Sequence, residues 1–244
     1  VIVSSFGAAV SLGPTIRPDG TSYLTANFKD EQVELRQSSN GALLHSFPGT
    51  RAIFAPNGQT VAVSGAREGG IQLWRVSDGT LLQTIPQKRQ WVTALAFSPD
   101  GTLLVTGDSP DIEIWRVDDG TLLNSFKVSS YNQAVAIAPD NQTLAIATHF
   151  DGIELVRMSD GAVLHPIADD DSTIFSLAFS PDGRTLATGG RDRTVRLWRS
   201  SDGALLQELR GHLAEVTGLA FSADGRTLAS SSADRTVRLW RVGP

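Results

Sequence analysis

The sequence predicts an all-β fold in which one four-stranded antiparallel unit recurs six times along 244 residues. The prediction rests on a turn signature at near-constant spacing, short apolar strands in the same order between its copies, and a tryptophan ending the same strand in four of them. The signature stands at Arg17-Pro18-Asp19-Gly20, Ala55-Pro56-Asn57-Gly58, Ser98-Pro99-Asp100-Gly101, Ala138-Pro139-Asp140-Asn141, Ser180-Pro181-Asp182-Gly183 and Ser222-Ala223-Asp224-Gly225. Its last residues are separated by 38, 43, 40, 42 and 42 positions.

The fifth copy shows the order of elements. A strand ending Leu177-Ala178-Phe179 leads into the turn. Thr185-Leu186-Ala187-Thr188 follows, then a short polar turn, then Thr194-Val195-Arg196-Leu197-Trp198, then Asp202-Gly203 before Leu205-Leu206. Proline presets the backbone for the second turn position, aspartate bonds its own backbone, and glycine accepts positive φ, so the signature reads as a hairpin turn. A repeat of about forty residues with four short strands is the length of a propeller blade. The repeats run through the chain, so residues 1–244 read as one domain.

Phe-Ser-Pro-Asp-Gly, Asp-Arg-Thr-Val-Arg-Leu-Trp and Gly211-His212 resemble the WD-repeat β-propeller family, and the likeness covers essentially the whole chain. The resemblance implies a WD-repeat β-propeller of four-stranded antiparallel blades with six repeats visible. Trp74, Trp115, Trp198 and Trp240 are each followed by arginine where the family has aspartate, and Arg36 and Val156 replace tryptophan in the first and fourth copies. Blades five and six match at 18 of 23 positions over 177–199 and 219–241, as a recent duplication would. Val1 to Phe6 lies where an outer strand would precede the first blade, so it is expected to complete blade six and close the ring by joining two sheet edges. A seventh blade is the alternative if residues are missing. Six-bladed TolB-like propellers share Ser-Pro-Asp-Gly, but the ending Val-Arg-Leu-Trp resembles the WD-repeat pattern more.

Composition narrows the function. With 21 basic and 26 acidic residues, the net charge of −5 gives no basic field for a phosphate backbone, so nucleic acid is not an expected partner. No apolar run is long enough to span a membrane. The absence of cysteine excludes disulfides and thiol chemistry and leaves the compartment open, with cytoplasmic preferred. The chain begins at Val1 and its sole methionine is Met158, so residues are expected to have been lost from the start.

His212, Ser230 or Ser232, and Asp234 superficially suggest nucleophilic catalysis. The family resemblance instead implies that His212, one of those serines, Asp234 and Trp240 form a structural tetrad tying the third strand of blade six to the loop before its first. No nucleophile elbow or oxyanion-hole motif accompanies them. Asp169-Asp170-Asp171 lacks the spacing of a calcium loop and reads as a solvated acidic loop, while His149 and His165 have no second ligand at a recognisable spacing. No cofactor or metal is expected, and no catalytic residue. A propeller hydrolase would need converging acids at the channel, where the sequence offers Thr93, Gln133, Phe175 and Thr217.

The expected function is a non-enzymatic scaffold or sensor domain binding a protein or peptide on the face around the central channel, alone or within a larger chain or complex. Loops on a rigid scaffold carry function. The family resemblance implies a contact position eight residues before the turn proline: Trp91, Tyr131, Thr173 and Glu215 in blades three to six. Trp91 is the only tryptophan outside the strand-ending register, and nearby loops add Arg67, Lys88, Arg89 and Phe150. Packing between blades is the rival role for Trp91. A small-ligand or glycan-binding propeller is the alternative function, suggested by the aromatic pair.

Overall fold

The computed structural model describes residues 15–27, 29–65, 70–86, 92, 94–108, 110–128, 132–148, 152–167 and 173–243. Blade one comprises β1 (Thr15–Ile16), β2 (Ser22–Asn27), β3 (Gln32–Gln37) and β4 (Leu43–Pro48). Blade two is β5 (Arg51–Phe54), β6 (Thr60–Ser64), β7 (Ile71–Arg75) and β8 (Leu81–Ile85). Blade three is β9 (Ala94–Phe97), β10 (Leu103–Asp108), β11 (Asp111–Arg116) and β12 (Leu122–Lys127). Blade four is β13 (Asn132–Ile137), β14 (Thr143–Thr148), β15 (Ile153–Arg157) and β16 (Val163–Ile167). Blade five is β17 (Ile174–Phe179), β18 (Thr185–Gly190), β19 (Thr194–Arg199) and β20 (Leu205–Arg210). Blade six contributes β21 (Val216–Phe221), β22 (Thr227–Ser232) and β23 (Val237–Arg241), three strands among the described residues. Each sheet is an antiparallel meander, so the chain is a six-bladed β-propeller. The strand expected from Val1 to Phe6 lies outside the described residues.

Successive side chains of a strand point to opposite sheet faces, so blades two to five each have two apolar faces, and the blades stack front to back. In blade five, Leu177, Leu186 and Trp198 form the front and pack on Ile153, Leu155 and Ile167 of blade four. Val195, Leu197 and Leu209 form the back and are covered by Val216, Leu219 and Leu228 of blade six. The face that blade four turns to blade five carries small residues on its first two strands, Ala134, Ala136, Ala145 and Ala147. In four-stranded blades the third and fourth strands shift register at the strand-ending residue, as between Leu197 and Trp198, where Trp198 pairs with Leu205. The leucine pairs that follow stay partly exposed at the outer rim, including Leu81, Leu82, Leu205 and Leu206.

The turn signature does more than reverse the chain. Ser180 Oγ donates to Asp182 Oδ1 at 2.6 Å, and Asp182 Oδ1 also accepts the Arg184 amide at 3.0 Å. Ser98 with Asp100, and Ser222 with Asp224, repeat the hydroxyl bond at 2.6 Å. An added Cβ on Gly183 would lie 3.4 Å from Pro139, and one on Gly225 would lie 3.5 Å from Pro181, so each turn rests on the proline of the preceding blade. Asn141 replaces glycine at φ 55° and donates from its amide to Asp100 Oδ2 at 2.9 Å, joining blades three and four.

The second set of turns holds Arg75–Asp78, Arg116–Asp119, Arg157–Asp160 and Arg199–Asp202 at 2.8 to 3.0 Å, all near half exposure. Exposed pairs of this kind add little to stability, because water and salt screen them. The Thr80 amide and hydroxyl, with Arg75, hold Asp78 down at about 2. Asp160 and Asp202 are lowered by the amides of Ala162 and Ala204 and then by their arginines, Asp182 and Asp224 by the hydroxyls of Ser180 and Ser222 and then by turn amides. A lowered folded-state carboxyl stabilises above its unfolded pKa of about 4 and loses that contribution as pH falls through its folded value. The thermal midpoint is therefore expected to fall progressively from about pH 4 toward pH 2. A midpoint flat across that window in a pH series of melting curves would contradict the role given to these turns.

Candidate functional site

Blade six holds the fullest polar constellation among the described residues. Its aspartate sits in a tight turn in which the next residue, Arg235, takes φ 68°, and the Thr236 hydroxyl donates to Asp234 Oδ1 at 2.6 Å. Asp234 Oδ2 accepts the Leu213 amide at 2.9 Å and meets His212 Nδ1 at 2.9 Å. A carboxylate only accepts, so a neutral His212 ring donates from Nδ1, leaving Nε2 to accept from Ser230 Oγ at 2.7 Å. Ser230 Oγ in turn accepts the Trp240 indole N–H at 2.8 Å. Ser232 points elsewhere: its hydroxyl donates to the Ala214 carbonyl at 2.9 Å. Asp234 is held well below the ordinary carboxylate range, first by the Thr236 hydroxyl and then by the Leu213 amide and His212.

The distances match those of a Ser–His–Asp triad, and the surroundings decide against one. Ser230 and His212 are 1 % and 6 % exposed, so substrate cannot reach the hydroxyl. Trp240 also occupies the oxygen that would attack. What the arrangement can do is latch β22 and β23 to the segment before β21.

The other blades carry reduced versions. Trp115 Nε1 donates to Thr106 Oγ1 at 3.1 Å, and Trp198 Nε1 to Thr188 Oγ1 at 3.0 Å. In blade two the corresponding position of β6 is Val63, and Trp74 Nε1 is buried without a hydrogen-bond partner. Blade four has buried Val156 in place of tryptophan. Blade one has Arg36, which pairs with Glu34 at 2.7 Å and donates to the Gly41 carbonyl at 2.8 Å.

The profile of the WD domain, G-beta repeat family matches residues 79–123, 162–199 and 203–241, half of the chain. The chain belongs to the WD40 family. A stretch of 83 residues, 32 % of this WD40 chain, is 28 % identical to an uncharacterized WD repeat-containing protein of Synechocystis sp. and spans 24 % of that protein's length. Among solved structures, the computationally designed Ika8 protein superposes with a TM-score of 0.70 at 24 % identity, over 91 % of this chain and 67 % of its own; that likeness speaks for the fold alone. WD40 propellers are generally non-enzymatic and commonly serve as protein-interaction scaffolds.

The residues expected to contact a partner, Trp91, Tyr131, Arg67, Lys88, Arg89 and Phe150, lie outside the described residues, as do Asp169 to Asp171 and His149. Their neighbour Val92 is described: it is buried, and its carbonyl accepts Nη1 of Arg51 from blade two. Burial holds the Arg51 guanidinium below its ordinary value. On the same loop face blades five and six expose Arg191, Arg193 and Arg235, and Leu213 is 79 % exposed. Leu213 is not among the residues that the sequence singles out. Its signal was a large apolar residue beside Gly211-His212, outside any strand pattern.

A groove of about 700 Å³ opens on the opposite, turn-bearing side between blades four and five, lined by Leu164, His165, Phe179, Arg199, Ser200 and Leu206 among others. The residue after the strand-ending arginine is apolar in blades two, three, four and six (Val76, Val117, Met158, Val242) and is Ser200 here. Among the described residues, no cluster of histidine and carboxylate side chains could hold a metal ion, and no helix is long and apolar enough to cross a membrane.

Two substitutions test the polar network. His212→Ala is expected to lower unfolding stability by about 1–3 kcal/mol by stranding Asp234 and Ser230. Loss of a hydrolytic activity at unchanged stability would reassign the site. Val63→Thr supplies an acceptor to Trp74 and is expected to leave stability unchanged or raise it by about 1 kcal/mol, whereas Val195→Thr, on the apolar back of blade five, destabilises. Equal losses for both in urea titrations would show that the orphaned indole does not matter.

Proposed function

We propose that this WD40 domain is a non-enzymatic scaffold or sensor that binds a protein or peptide on its loop face, with Trp91 and Tyr131 as the main contacts and Arg67, Lys88, Arg89 and Phe150 around them. The anchored position of Val92 supports this reading best. Val92, which directly follows Trp91 in the sequence, is buried and its carbonyl accepts from Arg51. Binding energy concentrates in tryptophan, tyrosine and arginine on such surfaces. Arg191, Arg193 and Arg235 extend the basic character of that face onto blades five and six. Acidic or mixed-charge segments suit it electrostatically.

The groove between blades four and five favours a second reading, a small amphipathic ligand seated on Leu164, Phe179 and Leu206 with His165 and Arg199 at its polar edge. Its volume falls in the range of small-molecule sites. A thermal-shift screen with small ligands separates this reading from the first.

The first reading predicts that Trp91→Ala with Tyr131→Ala weakens a partner recovered on the immobilised wild-type domain by about 30-fold or more in calorimetry, as loss of hot-spot residues does. The unfolding midpoint of the double variant should stay near wild type. Unchanged affinity in the folded variant would move the contact surface elsewhere.

A further inference from the structure

Building on the small-ligand reading above, we infer that the groove between blades four and five binds a small uncharged molecule, an apolar ring or short chain whose single hydroxyl or carbonyl group bonds Ser200. The groove stands where the other junctions are plugged. The residue after the strand-ending arginine is Val76, Val117, Met158 or Val242 in blades two, three, four and six, and each packs into the apolar cluster shared with the blade before it. In blade five that residue is Ser200, which takes no part in the cluster joining blades four and five. A bridge is missing there as well. Asn124 Nδ2 of blade three donates to the Met158 carbonyl of blade four at 2.8 Å, whereas His165, at the same strand position one blade later, makes no hydrogen bond among the described residues. With neither plug nor bridge, an opening of about 700 Å³ remains, with Leu155, Leu164, Phe179 and Leu206 among its walls.

The polar lining sets the chemistry of the occupant. Ser200 Oγ is buried without a hydrogen-bond partner. A hydroxyl left in that state is costly to the fold, and a ligand that completes its bonding recovers the cost. Because a serine hydroxyl both donates and accepts, a neutral hydroxyl or carbonyl group satisfies it. The charges around the opening make no demand for an ionised ligand. Asp182 Oδ1 accepts the Ser180 hydroxyl and the Arg184 amide, and Asp140 accepts the Gln142 and Thr143 amides and the Thr143 hydroxyl. Arg199 is paired with Asp202 at 2.8 Å, and the charge of Arg184 acts on Asp182. Two carboxylates and two guanidinium groups line the groove, so a charged head would lose water and meet repulsion together with attraction. An apolar body with one neutral polar group avoids both costs and matches the leucine and phenylalanine walls.

The test titrates the 244-residue chain with 2-phenylethanol, ethylbenzene, phenylacetate and 2-phenylethylamine, which share a ring and differ in the head, and follows the backbone amides of Leu164, Arg184, Ser200, Ser201 and Leu206 by NMR. 2-Phenylethanol is expected to shift those amides with a dissociation constant on the order of 1 mM, and the two charged probes to bind several-fold more weakly. Ser200→Ala keeps the space and removes the hydroxyl; it should weaken 2-phenylethanol by about fivefold and leave ethylbenzene unchanged. Ser200→Val supplies the plug of the other blades and should abolish the shifts, with an unfolding midpoint equal to or above wild type. Equal effects of Ser200→Ala on the alcohol and the hydrocarbon would overturn the inference, as would undiminished binding in Ser200→Val. Tighter binding of phenylacetate or 2-phenylethylamine at the same amides would also overturn it while leaving the groove a ligand site of other chemistry. No shift at these amides with any of the four probes would overturn the small-ligand reading itself.

Discussion

Front-to-back packing between blades is the interaction on which the rest of the structure depends. No single sheet can bury its own apolar faces, so a blade draws its stability largely from its neighbours. Burying a leucine or isoleucine contributes roughly 1.5–3 kcal/mol. Residues such as Leu155, Ile153 and Ile167 bury theirs against Leu177, Leu186 and Trp198 of the following blade.

Because packing dominates, the polar latch can vary. Blade six has the complete His212–Ser230–Trp240 chain with Asp234, blades three and five keep a single indole–threonine bond, and blade two leaves its indole unpaired. Every one of these blades still forms the same meander. The latch refines local stability; it does not specify the fold. The turn-bearing side is largely locally determined, since carboxylates such as Asp182 and Asp224 are satisfied by amides and hydroxyls within a few residues.

The blade pattern was legible in the sequence because its signals are local and repeated. Pro-Asp-Gly turns, alternating strands and a strand-ending tryptophan each act within a dozen residues, and six copies reinforce them. Ser230 and Ser232 could not be separated that way. They lie on the same strand with the same alternation, and only the approach of His212 and Trp240 shows that Ser230 belongs to the latch. The stacking of each turn glycine on the previous blade's proline was equally hidden, since the partners lie about forty residues apart.

By itself, then, the sequence determined the repeat unit, its strand order, the position of its turns and the absence of thiol chemistry. Those properties arise from side-chain alternation and backbone preferences within one blade. The tertiary structure decided which of two equivalent serines is buried against the histidine, that the groove between blades four and five exists, and that Val237 and Leu239 stand exposed where identical residues one blade earlier are covered. Identical sequence has opposite burial in these two blades because burial belongs to the neighbour and not to the residue.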